Sequence, residues 1–243
     1  MHKLESFALS SNAKIGNASI EESFFPVTED KFICISTSAN ENCKKYSYYD
    51  DVVFHIKPYL DKENIKIVQI GSSGDIPLFH CNTYFQTNRL HNSYIIGKSM
   101  MYVGNYNLYT NIASHKNKKI VSPINIEYSD SLFPYWSNKD NCKLIQHNPE
   151  NLKPLSIPDE PSKTIDKIKP ESIASEILNL LGIKHKLDKI ETIHIGSQYQ
   201  NQATEIVPFD DFNPNTQTGP AVTVRLDKGS SINSLPAIAQ NRK

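Results

Sequence analysis

Short runs that are apolar at almost every position recur along this chain, and segments of helical period lie between them. Phe32-Ile33-Cys34-Ile35 is the first, inside a strand expected over 31–36. A strand with one wet face alternates apolar and polar residues. A strand without that alternation is buried on both faces, as in a parallel sheet. Ile65-Lys66-Ile67-Val68-Gln69-Ile70, the stretch 100–103, Ile120-Val121 and Lys143-Leu144-Ile145 continue the series. Between the first two strands, Val52, Ile56 and Leu60 repeat every four residues with Val53 alongside, which gives a helix over 49–60 one apolar face. Further helices are expected over 4–9, over 90–97 and around Ile112-Ala113. Strands alternating with helices argue an α/β fold built on a doubly wound sheet.

A last helix opens at Pro170, whose fixed φ suits a first turn. Ile173, Ile177, Leu180 and Leu181 follow on one face, and Gly182 suits its end. Before it, Pro149, Pro154, Pro158, Pro161 and Pro170 mark 148–170 as a surface crossing without regular structure. After Gly182 the pattern changes to strand-like runs at 190–195, 205–207 and 221–226, then a polar, mobile tail from Gly229. The expected organisation is a linker-like segment over 1–29, a Rossmann-like domain over 30–183, and a small β-rich extension with its tail over 184–243.

Twenty-six Lys plus Arg balance 26 Asp plus Glu. A neutral chain offers no electrostatic case for nucleic acid as a partner. No apolar run approaches the roughly 18 residues of a membrane span, and no apolar stretch follows Met1-His2-Lys3 to make a secretory signal. Cys34, Cys43, Cys81 and Cys142 show no CxxC spacing, and Cys34 lies inside an apolar run, so a reduced, cytoplasmic chain is expected. The eight histidines do not cluster, and no HExxH, GxGxxG, Walker or GxSxG sequence occurs. No metal or tightly held cofactor is expected.

Three places could bind a ligand. Gly71-Ser72-Ser73-Gly74-Asp75 follows a strand, and its backbone N–H groups could cradle a phosphate. A Gly/Ser turn is also the ordinary way for a chain to leave a strand. Thr37, Ser38, Lys44 and Lys45 follow the first strand, where two hydroxyls and an ammonium could hold a diphosphate, or where two lysines are simply solvated. Tyr102-Val103-Gly104-Asn105-Tyr106 leads from a strand through a glycine turn into a helix, the kind of turn at which open α/β sheets bind ligands. Pro134-Tyr135-Trp136 reads equally as an aromatic wall or a loop anchor.

From about residue 30 to 182 the order of these pieces resembles the C-terminal, donor-binding half of glycosyltransferase family 9, the ADP-heptose:lipopolysaccharide heptosyltransferase group. The resemblance is carried by 35–44 with Tyr46 and Tyr48, by Ile67-Val68-Gln69-Ile70-Gly71, and by Gln86-Thr87-Asn88. Tyr102-Val103-Gly104-Asn105 with Ile112-Ala113-Ser114, Lys119-Ile120-Val121 and Pro134-Tyr135-Trp136 complete it. It implies a GT-B fold, an ADP- or UDP-linked sugar as substrate rather than a cofactor, metal-free transfer with inversion, and a part in lipopolysaccharide biosynthesis. On that resemblance Lys44 is the phosphate lysine, Thr37 and Ser38 are the hydroxyl pair, and Asp75 is the acidic residue after the Gly71 turn. The family's central motif runs Gly-Asn/Asp-Asp-Ser/Thr-x-x-x-His-x-Ala. Gly104 and Asn105 keep it, Tyr106 replaces the aspartate, and Asn111 replaces the histidine. Losing such groups removes a few kcal/mol of transition-state stabilisation. About 30 residues precede the first strand, so an acceptor domain is expected on a second chain. The expected function is a nucleotide-sugar-binding glycosyltransferase-like domain inactive alone, or a non-catalytic interaction module on the same scaffold.

Overall fold

The computed structural model describes residues 1–17, 19–147, 163–187, 193–195, 203–206, 221–224 and 236. Strand β1, Phe32–Ser36, is buried at all five positions. Ile33 and Ile35 enter a core formed with Val52, Val53, Ile56 and Leu60 of helix α2 (Tyr49–Lys62) and Ile173, Ala174 and Ile177 of helix α6 (Pro170–Leu181). Phe32 and Cys34 enter a second core with Ile95 and Ile96 of helix α3 (Arg89–Lys98) and Ile112 and Ala113 of helix α4 (Leu108–His115). One apolar run thus feeds two cores, because successive side chains of a strand point to opposite faces.

The sheet adds β2 (Lys66–Ile70), β3 (Asn82–Tyr84), β4 (Met101–Gly104), β5 (Lys119–Pro123) and β6 (Cys142–Ile145). Its order is β3-β2-β1-β4-β5-β6, and every pairing is parallel. The chain winds outward from β1 to β3, returns to lay β4 beside β1, and winds outward again. This is the order of doubly wound Rossmann sheets, and the direction reverses between β1 and β4.

The expected strands and helices of residues 1–187 are present, with ends shifted by a residue or two; of the expected runs 190–195, 205–207 and 221–226, the described parts 193–195, 205–206 and 221–224 are strand and the rest lies outside the described residues. Edge strand β3 was not expected from its sequence, and neither was the four-residue helix α5, Ser129–Leu132. The N-terminal helix α1 runs Lys3–Ser10. Gly182 ends α6 in the left-handed conformation at φ 76°, and the Ile183 N–H reaches back 2.9 Å to the Leu178 carbonyl. Most of the proline-rich crossing, 148–162, lies outside the described residues. Its last part holds a 3₁₀ turn, Thr164–Lys167, where no regular structure was expected. The expected mobile tail also lies outside them, residue 236 excepted.

The chain divides into two compact units, Met1–Leu187 and Asp188–Lys243. The second, by itself, holds a three-stranded sheet. β7 (Ile193–Ile195) runs antiparallel and β8 (Ala203–Ile206) parallel to the central β9 (Ala221–Val224). None of the four cysteines forms a disulfide, and burial pushes the Cys34 thiol up. No helix among the described residues is long and apolar enough to cross a membrane.

The segment ahead of β1 is tied to the edge of the sheet. Glu29 accepts hydrogen bonds from Asn82 Nδ2 at 2.5 Å and from the Tyr84 hydroxyl at 2.9 Å. Burial alone would raise its carboxyl; the bonds from Asn82 and Tyr84 outweigh burial and hold it below the usual carboxylate range. A folded value below the unfolded one means the stabilisation is complete above the unfolded value and vanishes as pH falls through the folded one. Glu29→Gln is therefore expected to make the acid limb of melting temperature against pH shallower. An acid limb as steep as the native one would contradict this.

Candidate functional site

The loops leaving β1 and β4 are tied together over the point where the winding reverses. Asn105 is completely buried. Its Nδ2 donates to the Thr37 carbonyl at 2.8 Å, and its Oδ1 accepts from the Tyr46 N–H at 3.0 Å and the Tyr49 hydroxyl at 3.1 Å. Its own N–H donates to the Ser36 carbonyl at 3.3 Å. Asn107 makes the second tie. It caps α4 by accepting from the Tyr109 N–H at 2.8 Å, while its Nδ2 donates to the Ser38 carbonyl at 2.9 Å. Between them β4 comes so close to β1 that a Cβ on Gly104 would lie 2.5 Å from the Ser36 carbonyl oxygen and 2.7 Å from the Tyr102 hydroxyl.

Thr37, Ser38, Gly104 and Asn105 form this lip, and most of the residues singled out from the sequence already have partners. The Thr37 hydroxyl accepts from Gln69 Nε2 at 3.4 Å. Ser38 donates to Asp75 Oδ2 at 2.6 Å, and the same oxygen accepts from the Ser72 N–H at 2.7 Å. Asp75 thus closes its own turn and occupies a backbone N–H that a phosphate would otherwise use. A Cβ on Gly71 would meet Asp75 Oδ2 at 2.4 Å, so a side chain there would displace the carboxylate that closes the turn.

Lys44 ends a 3₁₀ turn, Asn42–Lys44. Its Nζ lies 3.0 Å from Glu41 Oε1 and 3.7 Å from Glu127 Oε2. Burial would lower its pKa, but the Glu41 hydrogen bond and the charges of Glu127 and Glu41 outweigh burial and raise it. Lys44 is therefore a firm cation at neutral pH. Lys3 lies 3.3 Å from the other Glu127 oxygen, so cation and carboxylate alternate from Lys3 through Glu127 and Lys44 to Glu41.

Burial raises the Tyr106 phenol, and the neighbouring Asn111 amide only partly opposes that, so Tyr106 is neutral. Asn111 Nδ2 also reaches the Asn107 carbonyl at 3.4 Å. A neutral pair fills the two positions where the resemblance expects a carboxylate and an imidazole. Neither member can act as a general base near neutral pH. Pro134-Tyr135-Trp136 is a loop anchor: the Trp136 ring packs on His115 at 5.7 Å and its backbone N–H donates to Ser114.

Sequence reasoning missed Glu41, Asn107, Glu127 and Lys3. Glu41 stands three residues before Lys44 and was readable as a local ion pair. Glu127 and Lys3 reach the site only through the fold. A cavity of about 950 Å³ lies elsewhere, along β6 and α6, lined among others by Lys143, Gln146, Ser175 and His185. It contains none of the expected site residues.

The sheet order and the lip at its switch point define a Rossmann-like α/β domain. Among solved structures the chain is similar to E. coli ADP-heptose lipopolysaccharide heptosyltransferase II, at 17% identity over 64% of this chain and 47% of that one, TM-score 0.49. It is also similar to the glycosyl transferase family 9 protein of Veillonella parvula DSM 2008, at 11% identity over 73% and 50% of the two chains, TM-score 0.49. A third is E. coli heptosyltransferase WaaC with ADP, at 6% identity over 72% and 54%, TM-score 0.48. The chain spans about half the length of these proteins. No protein-family model matches it, and no curated protein matches it.

Proposed function

We propose that the first unit is a donor-binding domain of glycosyltransferase type, taking an ADP- or UDP-linked sugar at the lip between β1 and β4 and not catalysing transfer by itself. The observation that carries this reading is the convergence of Thr37 and Ser38 with the 104–107 turn at the switch point of a parallel sheet, where such folds bind ligands. The motif order in the sequence supports a diphosphate-linked sugar as the donor class. A general base and an acceptor half would come from outside these 243 residues, and a second chain is the proposed source. Completed in that way, transfer would proceed by inversion without a metal. Four cysteines outside any disulfide accord with action in the reducing cytoplasm.

A second reading, a non-catalytic interaction module, is favoured by the neutral Tyr106–Asn111 pair. Calorimetric titration separates the two. The donor reading expects heat with an ADP- or UDP-sugar and its loss in Lys44→Ala. Silence with every donor up to about 1 mM, a free energy near 4 kcal/mol, would leave the interaction module. Binding that persists undiminished in Lys44→Ala would remove the diphosphate from this lysine.

A further inference from the structure

Glu127 stands between two ammonium groups, 3.3 Å from Lys3 and 3.7 Å from Lys44. Its side chain is only 15% exposed. Its backbone is pinned, because Gln146 Nε2 donates at 2.7 Å to the carbonyls of both Asn125 and Glu127. The carboxylate is thus held against Lys44 rather than swept through solvent. Lys3 is held as well. His2, the N-cap of α1, puts Nε2 2.6 Å from the Phe133 carbonyl oxygen and its ring on Tyr135. Helix α1 buries none of its residues, so its attachment rests on its first few side chains.

A carboxylate this close to Lys44 competes with a phosphate oxygen for the same ammonium. Lys3 draws that carboxylate the other way. We propose that Glu127 sets the affinity of the donor site by competing with the diphosphate for Lys44, and that α1, through Lys3, sets how strongly it competes. The inference rests on the donor reading above. With Lys3 in place, Glu127 divides its pairing between two cations, and an anion meets a weaker competitor at Lys44. With Lys3 withdrawn, Glu127 pairs with Lys44 alone, and the anion is disfavoured. Glu41 belongs to the same turn as Lys44 and competes equally in both states.

The test is a double-mutant cycle on the full chain, titrated with inorganic pyrophosphate at one low ionic strength. Circular dichroism would confirm that each variant is folded. Glu127→Gln keeps shape and hydrogen bonding and is expected to tighten binding about fivefold, the scale of one part-exposed charge pair. Lys3→Ala is expected to weaken binding about twofold to fivefold on the same scale. The double variant is expected to bind like Glu127→Gln alone, because Lys3 acts only through Glu127. Lys3→Ala weakening the Glu127→Gln protein by its full factor would mean that Lys3 attracts the anion directly, and would overturn the proposal. So would Glu127→Gln binding no tighter than native. If Lys44→Ala still abolishes binding in those two cases, the donor site itself stands. Failure of native, Glu127→Gln and Glu41→Gln/Glu127→Gln proteins alike to bind pyrophosphate would overturn both.

Discussion

Asn105→Ala is expected to lower the melting temperature by roughly 8–16 °C, the equivalent of about 4 kcal/mol in a unit of this size. The substitution strands three groups: the Tyr46 N–H, the Tyr49 hydroxyl and the Thr37 carbonyl. A buried polar group left unpaired costs about 1–3 kcal/mol, so three such groups reach that total even with partial relaxation. Asn105→Asp is a useful companion. It keeps an acceptor for Tyr46 and Tyr49 but turns an oxygen toward the Thr37 carbonyl, so it is expected to destabilise as well. Calorimetric melts of the three proteins decide the matter. A loss below about 3 °C for Asn105→Ala would mean that these bonds are made to water as easily as to the side chain.

Gly104→Ala is expected to be as damaging for a different reason. Gly104 does not occupy the left-handed region; it is needed for close approach. A methyl there would lie 2.5 Å from the Ser36 carbonyl oxygen, in a register where Ser36 and Gly104 are direct partners. Overpacking usually costs about 1–3 kcal/mol, and a backbone obstacle in the middle of a sheet belongs at the upper end of that range. Tyr102→Phe removes the second close contact but not the first. The pair Gly104→Ala/Tyr102→Phe should therefore melt no higher than Gly104→Ala. Rescue by Tyr102→Phe would show that the phenol, and not β1, is the obstacle.

The central strands were legible because each must be apolar on both sides, and few other structures demand four or five consecutive buried positions. Helix α6 was legible at both ends because Pro170 and Gly182 act locally. Edge strand β3 was not, because Asn82-Thr83-Tyr84 is short and polar, and its place depends on β2 and on Glu29 far away in the chain. The site was legible as positions but not as bonds. Gly104 and Asn105 stood out as a turn motif. Nothing in that motif says that Asn105 holds partners 56 to 68 residues away. Asp75 and Ser38 were both expected to face a ligand, and instead they face each other. Replacement of an aspartate and a histidine was visible as Tyr106 and Asn111, but the effect of Asn111 on the Tyr106 phenol needs the fold to bring the two together.

The two asparagine ties between the β1 and β4 loops also bear on binding entropy. Ordering a loop around a ligand subtracts from affinity, and a lip already cross-linked through Asn105 and Asn107 has little left to order. If the lip takes a donor as proposed, differences in affinity among related donors should arise in the neighbouring segments that those two asparagines do not hold, over 39–45 and 125–128. A ligand that engages only the tied lip would bind with a small entropic penalty and little discrimination.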